Sequence, residues 1–326
     1  MKRFSYGMIL WFTMSSLYGF DWIGTGGFEY QKITKGPYIP ITDILEENNL
    51  TNVNAISMWL TRKWSADWYP AEEVNHSIIE SGHLPIFIIY WFADEISVEY
   101  IHKHKGEYFT YLRRIREYLD TVDGKKVIVL NPEYNEHGVE GWTGYNQLLL
   151  ESKKILDKGD IIIGPCVGDF GDYSRNSDVK NWKKFDPSLN KAIASFDFIA
   201  FQEMRSLTKN KPSDIASLPQ RIEHFSEYLH SVYNKPVFLA YLALSTWGKD
   251  AELIQAEVLQ KLSTRQLVLQ SKGLMGINFF HLLDVPNHVG YFEEGEKYFG
   301  LFHSNFLPKE SIAPFKRLQL IPKGKF

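Results

Sequence analysis

The sequence predicts an α/β fold, a (β/α)8 TIM barrel, on three observations. About eight short apolar runs recur along the 326 residues, amphipathic helical stretches fill the gaps, and no glycine-rich phosphate fingerprint follows the first run. In order, the runs are Phe20 to Gly24, Asn54 to Leu60, Leu84 to Phe92, Lys126 to Glu133, Asp160 to Val167, Asp197 to Met204, Pro236 to Leu244 and Met275 to Leu283. Between them, Tyr108, Leu112, Ile115 and Leu119 recur at spacings of three and four, which places one apolar stripe against a sheet. Leu253 to Leu269, rich in Leu, Gln, Glu and Lys, is a second helical stretch. A doubly wound open sheet is the alternative, but Gly24-Thr25-Gly26-Gly27 is only a short glycine turn.

Composition bounds the function. With 44% hydrophobic and 23% charged residues the chain builds a large core, and no composition break or internal repeat divides it. A net charge of −3 and a pI near 6.4 supply no basic footprint for nucleic acid. Met1-Lys2-Arg3 followed by the apolar stretch Phe4 to Tyr18 reads as a signal peptide over residues 1–19, too short for an ordinary membrane span; a buried first strand or helix is the alternative. The expectation is a secreted or periplasmic protein whose residues 20–326 form a single catalytic-type domain, with no integral membrane part after signal removal. The single Cys166 excludes an internal disulfide and a multi-cysteine metal site, and its apolar neighbours make it a packed small hydrophobe.

The fourth run carries the strongest functional signal. Val127-Ile128-Val129-Leu130 ends abruptly in Asn131-Pro132-Glu133-Tyr134-Asn135-Glu136-His137, and proline stops a strand ladder because it has no N–H to donate. In strand–helix barrels the carboxyl ends of the strands carry the chemistry. Reading those ends in order gives Trp59, Tyr90-Trp91, Glu133 with Asn135 and Glu136, Asp169, Gln202-Glu203 with Arg205, Tyr241, and His281 with Asp284. Carboxylates within a ring of aromatics suit an uncharged polyhydroxylated ligand. Asp169 to Asp186 and Met204 to Ser217 are expected as loops on that face. No metal-binding spacing is present, His102-Lys103-His104 reads as solvated helix surface, and no cofactor is expected. Glycosidic bonds are cleaved between two carboxyl groups, one protonating the leaving oxygen and the other acting as nucleophile or as base for water.

On these residues the chain resembles the clan of retaining (β/α)8 glycoside hydrolases that includes endoglucanases, mannanases and xylanases. Its fourth strand ends in an acid/base Glu commonly preceded by Asn; Asn135-Glu136 reproduces the dipeptide, while Glu133 lies nearer the apolar run and is preferred. Tyr298-Phe299-Gly300-Leu301-Phe302, with Pro308-Lys309 and Ala313-Pro314-Phe315 beyond, is similar to the clan's ending. The seventh strand departs: Tyr241, in Lys235-Pro236-Val237-Phe238-Leu239-Ala240-Tyr241, stands where the clan places its nucleophile Glu. The resemblance implies cleavage of a polysaccharide or oligosaccharide, with Glu133 as general acid/base and Glu203 as second carboxylate, Asp284 being next in line. Trp59, Trp91, Asn135, Glu136, Gln202, Tyr241, His281 and Asp284 are the expected substrate-binding set, and Trp142 a further stacking platform. A non-catalytic carbohydrate-binding barrel and a metal-free lyase or isomerase on the same scaffold are the alternatives.

Overall fold

The computed structural model of the chain describes residues 19–26 and 41–321. Eight parallel strands close into a barrel in sequence order: β1 Trp22–Gly26, β2 Ala55–Thr61, β3 Leu84–Tyr90, β4 Lys126–Leu130, β5 Ile161–Gly168, β6 Ile199–Arg205, β7 Val237–Leu244 and β8 Leu274–Phe279. β8 pairs back onto β1, so the sheet is a closed (β/α)8 barrel and not an open one. The long outer helices are α1 Val98–Leu119, α2 Tyr145–Leu156, α3 Leu218–Tyr233 and α4 Ala251–Thr264. The Ser97 hydroxyl caps α1 by accepting the Tyr100 N–H at 3.1 Å, and Ile101, Tyr108, Leu112, Ile115 and Leu119 form its buried stripe.

Alternation along each strand divides the core in two. Ile86, Ile88, Val127, Val129, Cys166, Ala200 and Phe238 fill the lumen, whereas Phe87, Ile89, Ile128, Leu130, Ile199 and Phe201 pack against the helices. Trp22 closes the lumen, meeting the rings of Phe198 and Phe238 edge-on at 5.8 and 5.2 Å.

Three departures from regular strands shape the upper face. Between β6 and β7 the pairing jumps from Phe201↔Leu239 to Gln202↔Tyr241, so Ala240 is a bulge residue and Tyr241 joins the lumen. β4 stops at Leu130, short of the expected Glu133, because Asn131 and Glu133 adopt left-handed φ values of 46° and 63° on either side of Pro132. β8 ends at Phe279; His281–Leu283 becomes a separate strand, β9, paired with β10 Gly300–Phe302. The stretches after β5 and β6 contain short helical turns at Val179–Trp182, Asp186–Leu189 and Pro212–Ala216. The expected signal segment, residues 1–19, lies outside the described residues except for Gly19, and no helix among the described residues is long and apolar enough to cross a membrane.

Candidate active site

The strand ends surround a cavity of about 640 Å³ walled by Trp59, Trp68, Tyr69, Tyr90, Met204, Phe280 and Phe292, with Asp94, Glu133, His281, His288 and Glu296 as its ionisable groups. That volume accommodates a small-molecule ligand, since such pockets span roughly 300–1,000 Å³. Trp59 anchors one wall, its ring edge-on to Tyr90, Tyr241 and Phe280 at 5.6, 5.0 and 5.6 Å.

Glu133 is held by its surroundings in a backbone conformation that side-chain-bearing residues rarely adopt, which costs on the order of 1–3 kcal/mol. The Tyr241 phenol donates to its Oε1 at 2.6 Å and the Tyr90 phenol lies 3.1 Å from its Oε2. Tyr90 is also 2.8 Å from Asp94 Oδ1, so one phenol oxygen bridges two carboxyl groups. A phenol carries one proton, so it donates to one carboxylate at a time and can accept from the other when that group is protonated. Burial pushes the Glu133 carboxyl up to about 7; Asp94 and Glu136 add to the rise, and the hydrogen bonds from Tyr241 and Tyr90 oppose it. A carboxyl poised near neutrality gives up or takes a proton at physiological pH.

Across the cavity, burial pushes His281 down to about 3, with His288 adding to the effect, so its ring is neutral. Its Nε2 has no hydrogen-bond partner among the described residues. His288 is also pushed down by burial, against the opposing pull of Glu296, whose Oε2 lies 3.7 Å from its Nδ1. No group of three His, Cys, Asp or Glu side chains among the described residues is arranged to hold a metal ion.

A supporting shell fixes the Glu133 turn. The Asn131 carboxamide is turned into the helix layer, donating to Tyr108 and Tyr145 at 3.1 and 3.2 Å. Asn135 clamps Gly168, donating to its carbonyl at 2.9 Å and accepting its N–H at 2.6 Å.

Of the residues expected from sequence, the structure brings Trp59, Glu133 and His281 to the cavity, and Tyr241 to Glu133. Glu203 is elsewhere. It occupies an outward position of β6, fully buried, with Arg205 at 2.6 Å and Asp169 beside it. Asp169 in turn accepts two hydrogen bonds from Arg221 of α3, at 2.5 and 2.6 Å, and one from the Trp182 indole at 2.8 Å. Burial pushes the Glu203 carboxyl well up, with Asp169 adding and Arg205 opposing, whereas Arg221 holds Asp169 low despite its burial. Asp178, 3.9 Å from Arg221, completes the charged cluster of Arg205, Arg221, Asp169 and Glu203. This is an ion network between barrel and helices, and it does not pair with Glu133.

The remaining residues also stand apart from the cavity wall. Trp91 is buried against Tyr108 with the Arg62 guanidinium 4.9 Å over its ring, and Trp142 packs 5.0 Å from His102. Gln202 is buried at the end of β6. Glu136 lies half-exposed, 3.8 Å from His137. Asp284 binds Lys309 at 2.6 Å and the Gly300 N–H at 2.9 Å, tying the final segment to β9. Asp94, His288 and Glu296 were not foreseen. Asp94 follows β3 by four residues, a strand-end signal like that of Glu133, while Glu296 is hidden in the acidic run Glu293-Glu294-Gly295-Glu296, which reads as a solvated face.

No protein-family model and no curated protein matches the chain. Solved structures do. A GH5_18 protein from Bifidobacterium longum subsp. infantis aligns with a TM-score of 0.64 at 11% identity, covering 92% of this chain and 78% of that one. The exo-β-1,4-mannosidase Op5Man5 from Opitutaceae bacterium strain TAV5 aligns at 0.61 and 13%, covering 93% and 61%. A β-glucuronidase from Ruminococcus gnavus aligns at 0.60 and 15%, covering 92% of this chain but 49% of its own. The structural neighbours are thus GH5 glycoside hydrolases and related glycosidases, and at these identities the likeness is one of fold.

Proposed function

We propose that the protein is a glycoside hydrolase acting on a polysaccharide or oligosaccharide, with Glu133 as general acid/base. The observation that carries this reading is a carboxyl group pushed up to about 7 at the carboxyl end of β4, facing an aromatic-walled cavity. The glycosidase neighbours support it at the level of fold. Glu133 protonates the leaving glycosidic oxygen and then, as the carboxylate, draws a proton from the incoming water or sugar hydroxyl. Asp94 is the second carboxylate of the proposal, because it shares both the cavity and the Tyr90 phenol with Glu133. Tyr241 is a positioning residue that acts through Glu133. Glu133→Gln preserves shape and removes the proton; glycan cleavage should fall by about 10²- to 10⁴-fold with KM little changed. Cleavage at the wild-type rate would overturn the assignment.

A second reading, a carbohydrate-binding barrel without turnover, is favoured by Tyr241. It occupies the seventh-strand position of the expected nucleophile and holds Glu133 by hydrogen bond. It predicts glycan binding by wild type and Glu133→Gln alike, with no product from either.

A further inference from the structure

The neighbours include a mannosidase and β-glucuronidases, so the shared fold does not decide whether the substrate is charged. The described cavity lining bears on that choice. Asp94, Glu133 and Glu296 all face it, and no Lys or Arg is among its described lining residues. At the rim, Lys209 lies 5.3 Å over the Tyr291 ring but is already paired with Glu293 at 2.5 Å. His281 and His288 are poor substitute cations, since burial pushes both down from the ordinary imidazole value. The rest of the wall is aromatic, and ring faces attract cations and stack on apolar sugar faces. A sugar carboxylate placed here would lose its hydration with no cation among the described lining residues to replace it, beside the Asp94 and Glu296 carboxyl groups.

We propose that the cavity selects its glycan by charge, taking amino sugars and neutral sugars and rejecting uronates. The inference rests on the carbohydrate reading given above and extends it to a substrate class. The test is calorimetric titration of the full chain, as Glu133→Gln to prevent turnover and as wild type, with matched gluco-, chitosan- and glucuronate-type oligosaccharides. Chitosan-type and neutral ligands are expected to bind more tightly than the uronate, by a factor on the order of a hundred. Asp94→Asn combined with Glu296→Gln should narrow that gap at least about tenfold, since each removes a like charge. Uronate binding equal to or tighter than neutral binding would overturn the inference and leave the hydrolase reading standing. Charge-ranked binding with no cleavage by wild type would do the reverse. An absence of binding by every glycan would overturn both.

Discussion

Glu133 combines a left-handed backbone with a carboxyl pushed from its ordinary value up to about 7, and the two phenols that restrain it also tune it. The Tyr241 hydrogen bond favours the charged form, so Tyr241→Phe should move the alkaline limb of the kcat/KM profile to higher pH while the chain stays folded. A limb that stays in place would show that Tyr241 only packs. The same shift sets a stability prediction. The folded chain holds the Glu133 proton more tightly than the unfolded chain, so this contribution is complete below the ordinary carboxyl range and is lost as pH rises through about 7. The uncharged Glu133→Gln has no such loss, and its Tm relative to wild type should rise between about pH 4.5 and pH 8; a flat difference would contradict the sign. Glu133 was legible in the sequence because polar residues seldom cap a strand this apolar. Glu203 looked the same by that rule, and position separates them: Glu203 falls on the outward face of β6, while Glu133, beyond the end of β4 in the left-handed turn around Pro132, lines the cavity.

At the scale of elements, two irregularities make the site. The Ala240 bulge turns Tyr241 inward, and the truncated end of β4 frees Glu133 from the ladder. Neither could be read from apolar periodicity, which locates a strand but not a one-residue change in its facing. The barrel-to-helix network gives a contrasting prediction. Glu203→Gln should leave cleavage and fold nearly intact, because that carboxyl does not line the cavity and burial favours its neutral form. Arg205→Ala should cost about 1–3 kcal/mol in a denaturant titration, since it leaves the Met204 carbonyl and the buried Glu203 carboxyl without the guanidinium beside them. A loss of cleavage in Glu203→Gln with unchanged stability would restore Glu203 to the chemistry. Asn135→Ala, which breaks both clamps on Gly168, should cost about 1–3 kcal/mol and lower activity without shifting its pH profile.

For the whole molecule, the order and number of strands were legible because parallel strands covered on both faces appear as uninterrupted apolar runs between helical stripes. The cavity was not, because its far wall comes from the segment between β9 and β10, where Val285, His288 and Glu296 have no periodic signature and meet Glu133 only once the barrel closes. The closed barrel brings together an acid from β4, a phenol from β7 and a carboxylate following β3, and the proposed chemistry depends on that convergence. The most direct measurement is the pH dependence of kcat/KM for wild type and Glu133→Gln on one cleaved oligosaccharide. A wild-type profile falling above about pH 7, together with a loss on the order of 10²-fold or more in the variant, is the predicted result; a variant that cleaves at the wild-type rate with the same profile would contradict Glu133 as the proton donor.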